Sequence, residues 1–176
     1  MDTRTHRRTI AVMPAVAAAL ALALGAPTPV GAASASVTAC TGSDLHASKG
    51  MLEGAAGSRF LKIRVTNVSD HDCSSMGYTR YRFRNDAGPI GFRSPPNVVT
   101  DGGRGTPVVI AAGATVKSVL SWVDPGPTVP SQCHARQATA VRLKIHDVDK
   151  FYRIPLHAMV CTTKQYRPHG TRLGDT

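Results

Sequence analysis

Acidic residues are scarce in this 176-residue chain, 11 Asp and Glu against 21 Lys and Arg, and aromatic residues make up only 5% of it. The few acids sit almost entirely in turn-like contexts, where Asp closes a turn through its own side chain, so no carboxylate pair stands out for acid–base chemistry. There is no G-x-S-x-G elbow and no H-E-x-x-H pair. Gly102-Gly103-Arg104-Gly105 lacks the lysine of a phosphate-binding loop. The absence of any Cys-x-x-Cys argues against a zinc ribbon or a thioredoxin-like redox site. No RNA- or DNA-binding signature accompanies the basic charge, so nucleic acid is not an expected partner. Past the N-terminal region no segment holds a helical apolar period for three turns, and no internal repeat marks a solenoid. Charged residues at 18% and hydrophobic ones at 42% nevertheless exclude a disordered, solvating polypeptide. The expectation is a non-enzymatic globule with no catalytic residues, no metal site and no cofactor.

What is present begins with a leader. Residues 1–35 combine a basic start (Arg4, Arg7, Arg8), an apolar run from Ile10 to Ala26 and a small-residue stretch ending Ala33-Ser34-Ala35, the pattern of a secretory signal peptide. Pro14 and Gly25 weigh against reading that run as a membrane anchor, and no later segment is apolar for long enough to span a bilayer. Arg7-Arg8 does not by itself select an export route. Removal of the leader takes with it Arg4, Arg7, Arg8 and Asp2, which reduces the formal charge from +10 to +8. The expected product is a basic protein, secreted or associated with the cell wall. Val37-Thr38-Ala39-Cys40 resembles a lipobox but stands well beyond the end of the apolar run, so lipidation at Cys40 is the lesser alternative.

Four cysteines remain, Cys40, Cys73, Cys133 and Cys161, an even number in an exported chain, which implies two disulfides with three possible connectivities. Strand symmetry ranks them. Ala140–His146 and Phe151–Leu156 read as a hairpin turning at Asp147-Val148-Asp149-Lys150, and reflection of Cys133 through that turn lands beside Cys161. Strands near Asp44–Lys49 and Arg59–Thr66 turn near residue 55, and the same operation carries Cys40 to the neighbourhood of Cys73.

Arg59–Thr66 alternates Leu61, Ile63 and Val65 against Lys62 and Arg64, a half-buried strand. Ala140–His146 repeats the pattern with Val141, Leu143 and Ile145 inward. Val116–Val123 is apolar on both faces, as suits the middle of a sheet. Thr79–Arg84 alternates too and runs through Asn85-Asp86-Ala87-Gly88 into Pro89–Phe92. Val98-Val99 and Val108–Ile110 are shorter strand candidates. Pro and Gly clusters separate these runs. The expected fold is all-β, an antiparallel β-sandwich over residues 36–163, with Lys164–Thr176 as a loose, flexible tail.

The order of landmarks adds a resemblance. An early Cys followed by Asp44-Leu45, Gly57-Ser58-Arg59-Phe60, Val65-Thr66-Asn67-Val68-Ser69 before Cys73, Gly77-Tyr78, and Ile110–Thr115 ahead of Cys133 and Cys161 resembles the secreted actinobacterial family labelled domain of unknown function 4232. The resemblance covers residues 40–162 and implies an exported, disulfide-bonded, immunoglobulin-like sandwich. It brings no catalytic residues.

Two constellations carry possible chemistry. Arg80, Arg82 and Arg84 alternate along one strand, so all three project from one face at intervals of about 7 Å, with Tyr81 and Phe83 turned to the core. Such a ladder suits an anionic cell-envelope component. His157-Ala158-Met159 places His and Met on one face of a strand, a spacing found in copper carriers, with His71, Met51 and Met76 as conceivable further ligands. A secreted binding module is the first functional reading. A small hydrolase or copper carrier, its site assembled from loops, is the alternative.

Overall fold

A computed structural model describes residues 36–96, 106–126 and 131–175. The leader, Val98-Val99 and the Gly102–Gly105 cluster lie outside these residues. Eleven strands make up the described chain: β1 (Thr38–Ala39), β2 (Leu45–Ala55), β3 (Ser58–Asn67), β4 (Cys73–Ser75), β5 (Thr79–Asn85), β6 (Gly88–Pro89), β7 (Val108–Ile110), β8 (Thr115–Val123), β9 (Arg136–Ile145), β10 (Phe151–Val160) and β11 (His169–Gly170). Two four-stranded antiparallel sheets, ordered β10-β9-β5-β6 and β11-β8-β3-β2, carry most of the chain; a small third sheet runs β1-β4-β7. The all-β sandwich expected from the alternation is the architecture found.

Its core follows from that alternation. Leu61, Ile63 and Val65 of β3 and Leu120 and Trp122 of β8 are buried on one sheet, and Tyr81, Phe83, Val141, Leu143, Ile145, Ile154 and Leu156 are buried on the other. Phe83 and Trp122 meet across the interface edge to face, centroids 5.4 Å apart. β8 lies between β11 and β3, inside its sheet as its two apolar faces require. The β2–β3 hairpin turns at Ala56-Gly57, both with positive φ (46° and 76°), the two-residue turn whose twist matches that of the flanking strands.

The disulfides are Cys40–Cys73 and Cys133–Cys161, the pairs that hairpin symmetry favours. The first ties β4 to the residue after β1, and the second closes the open end of the β9–β10 hairpin. With its sulfur in a disulfide, Cys40 has no thiol left to carry a lipid.

The segment after Lys164 differs from the loose tail expected of it. A 3₁₀ turn at Lys164–Tyr166 leads into β11, which adds to the sheet beside β8 with His169 opposite Ser121 and Gly170 opposite Leu120. Leu173 is fully buried and its N–H donates to the Gly77 carbonyl at 2.9 Å. The Thr171 carbonyl accepts from the hydroxyls of Thr79 and Ser118. The strand is too short to show a period, and its single large apolar anchor, Leu173, lies beyond it. Local pattern therefore gives no sign of the packing.

Candidate functional site

The outer face of the β10-β9-β5-β6 sheet gathers positive charge around a cleft. Arg80, Arg82 and Arg84 occupy the polar phase of β5 and are half-buried, whereas Tyr81 and Phe83 point inward. Pairing with β9 sets Arg80 opposite Lys144 and Arg82 opposite Arg142. Pairing of β9 with β10 then sets Lys144 opposite Phe151 and Arg142 opposite Arg153. One cross-strand row thus reads Arg82, Arg142, Arg153, three like charges with no acid among them, an arrangement that costs stability in a sheet.

Phe151 organises the second row. Its ring is half-exposed, the Arg142 guanidinium carbon lies 3.8 Å from the ring centroid, and the Lys144 ammonium lies 5.3 Å from it. Both are cation–π contacts, which hold the cations in place without cancelling their charge. Lys144 also donates to the Val148 carbonyl and stands 4.0 Å from the fully exposed Asp149 carboxylate.

Between the rows opens a cleft of about 280 Å³ lined by Arg80, Arg82, Arg93, Arg142, Lys144 and Phe151, together with Tyr81. Among the described residues no acidic side chain lines it. The Nε atoms of Arg80 and Arg82 are buried and have no hydrogen-bond partner among the described residues, although a terminal nitrogen of Arg82 reaches the Gly91 carbonyl at 3.4 Å. Buried donors without acceptors are rare in folded proteins, and here they belong to charged groups at the wall of a cleft.

A second cleft of about 330 Å³ adjoins the first and shares Arg80 and Arg93 with it; Lys164 and Arg167 of the packed C-terminal segment and Phe92 complete its charged and aromatic lining. The floor beneath Arg80 is buried and hydrogen-bonded. Tyr81 hydrogen-bonds Ser118 at 2.6 Å, and the Ser118 hydroxyl donates to the Thr171 carbonyl at 2.6 Å. Burial pushes the Tyr81 phenol up to about 12, partly opposed by its hydrogen bonds to Ser118 and Thr79.

A family model described as Domain of unknown function (DUF4232) matches residues 40–167. The chain belongs to this family. The match spans both disulfides of this DUF4232 chain and every cation of the two clefts. Comparison with curated proteins and with solved structures finds no match.

Of the ladder expected from sequence, the DUF4232 domain brings Arg80 and Arg82 into the cleft. Arg84 sits one step beyond, opposite Pro89 and Ala140, and lines neither cavity. Sequence reasoning missed Arg93, Arg142, Lys144, Phe151, Lys164 and Arg167. The polar phase of β9 displays Arg142 and Lys144, but nothing local says that β9 lies beside β5.

The copper-type constellation is only partly assembled. His157 and Met159 share a cleft of about 340 Å³ with Trp122 and with Arg59 and Asp124, which pair with each other at 2.6 Å. His71 lies in the β3–β4 connection, hydrogen-bonded to Asp70, and Met51 and Met76 line other parts of the surface. Among the described residues no group of three His, Cys, Asp or Glu side chains is placed to hold a metal ion. Among them, too, no helix is long and apolar enough to cross a membrane.

Proposed function

We propose that this domain is a non-enzymatic binding module, secreted or held at the cell envelope, that grips an anionic envelope component on the outer face of the β10-β9-β5-β6 sheet. The observation that carries the reading is the convergence of five cations from β5, β9 and the 91–96 loop on one cleft that, among the described residues, no acidic side chain lines. Evenly spread charge solvates a surface; like charge concentrated against its own repulsion is complementary to an anion. Guanidinium groups also offer paired donors to phosphate or carboxylate oxygens, and the buried Nε–H groups of Arg80 and Arg82 leave hydrogen bonds to be made. The secreted location rests on the leader and the two disulfides.

The test is retention on phosphocellulose. Arg80, Arg82 and Arg84 are changed together to Ser, and in a control the exposed Lys49, Arg64 and Lys117, on the other large sheet, are changed to Ser for the same loss of charge. Wild type and control should be retained at low salt and released together as the Debye length falls from about 10 Å at 0.1 M to about 3 Å at 1 M. The Arg80/Arg82/Arg84 variant should fold normally and pass through at low salt. Equal weakening by both triple changes would mean that net charge alone binds, and the site would be lost.

A further inference from the structure

The two adjoining clefts form one continuous cationic track. We infer that the track binds a linear phosphodiester-linked polyol or sugar chain, several of whose phosphates are held at once; this rests on the anion-binding reading of the first cleft. Continuity is the first argument: Arg80 and Arg93 belong to both cavities, so a ligand leaving the Phe151 end meets Lys164 and Arg167 with no acidic side chain among the described lining residues between them. Spacing is the second. Arg80 and Arg82, the two cations of β5 that line the track, stand about 7 Å apart, a spacing suited to a chain with one charge per short polyol spacer and unsuited to a compact single anion.

Direction of approach is the third argument. The cations reach the track from β5, β9, the 91–96 loop and the 164–167 turn, so donors arrive on a bound anion from different sides. A tetrahedral phosphate presents oxygens in divergent directions and meets such donors, whereas a planar carboxylate is best served by a single coplanar fork. Phe151 and Phe92, half-exposed at the two ends, offer apolar surface to the carbon spacers between charges.

The experiment uses the full mature domain, inorganic phosphate, poly(glycerol phosphate) of graded length, and polyglutamate of matched charge. Binding is followed by the NMR resonances of the Arg80 and Arg82 Nε–H groups. Affinity should rise with poly(glycerol phosphate) length and level off at roughly 100-fold or more above inorganic phosphate once both clefts are spanned. The double substitution Lys164→Gln, Arg167→Gln, at two exposed positions, should remove most of that gain, flatten the salt dependence, and leave unchanged the response to inorganic phosphate of the Arg82 Nε–H, which lines the first cleft alone. If the double variant binds the polymer as wild type does, or if polyglutamate binds equally well, the track is overturned while the first cleft stands. If inorganic phosphate and the polymer both leave the Arg80 and Arg82 resonances unmoved, the anion-binding reading itself fails, and the track with it.

Discussion

Replacing Arg82 by Gln should make the protein more stable. Arg82 lies directly opposite Arg142, which in turn lies directly opposite Arg153. Two unit charges about 6 Å apart repel by roughly 0.7 kcal/mol at the dielectric of water and by roughly 3 kcal/mol at an effective dielectric of 20. These side chains are partly solvated, so the lower figure governs, in line with the cost of about 0.2–1 kcal/mol for like charges facing each other across strands. The substitution also removes a buried Nε–H that has no acceptor among the described residues, and it gives back some contact made by the arginine stem. The net expectation is a gain of about 0.5 kcal/mol at 0.01 M salt, where the Debye length is about 30 Å, shrinking toward zero at 1 M, where it is about 3 Å. Urea unfolding followed by the fluorescence of the single, buried Trp122 measures it at both salts. Arg82→Lys, which keeps the charge, should show no such gain. A variant less stable than wild type at low salt, or a change indifferent to salt, would mean that the guanidinium is a structural group. The like-charge row would then be no evidence for a ligand.

Other consequences follow from the packing. A Cβ at Gly170 would lie 2.4 Å from Cε2 of the buried Tyr81 ring, so Gly170→Ala should cost about 2–3 kcal/mol and expose the chain after Arg167 to proteolysis; unchanged protease resistance would show that β11 is not docked. Replacing Cys133 and Cys161 together by Ala opens a loop spanning 28 residues and should cost about 3–4 kcal/mol in urea unfolding, with the Cys40–Cys73 pair still closed by mass after alkylation. The Tyr81 phenol is raised to about 12 from 10.0, so between those values the unfolded chain loses a proton that the folded chain keeps. Stability should therefore fall as pH rises from about 10 to 12, with Tyr81 contributing up to about 2–3 kcal/mol; Tyr81→Phe should reduce that fall to the part due to Tyr152, whose phenol burial also raises to about 12, while costing about 1 kcal/mol at neutral pH through the lost bond to Ser118. An identical alkaline slope in the variant would assign the effect to other groups.

Much of the scaffold was legible in one dimension because the interactions that specify it are local. Leu61, Ile63 and Val65 alternate with Lys62 and Arg64, and a strand offers only two faces, so the inward set follows from hydropathy. Hairpin strands neighbour one another in sequence, so their symmetry brought Cys133 to Cys161 and Cys40 to Cys73. The same locality explains the failure at the C-terminus. β11 pairs with β8 across about fifty residues of chain and is held by Thr79, Ser118 and a Leu173 anchor, none of which leaves a period in the segment itself.

Charge behaved likewise. That Arg80 and Arg82 share a face is a property of one strand and could be read from spacing alone. That Arg142, Lys144 and Phe151 stand beside them depends on β9 pairing with β5 across more than fifty residues, and on a register that places Arg82 against Arg142 and Arg80 against Lys144. That Lys164 and Arg167 extend the cleft depends on the docking of the C-terminal segment. The long strands, their inward faces and the disulfide partners thus belong to the linear pattern, since near neighbours decide them. The cationic track belongs to the assembled sandwich, where burial of the apolar faces selects the order and register of distant strands and so chooses which charges meet.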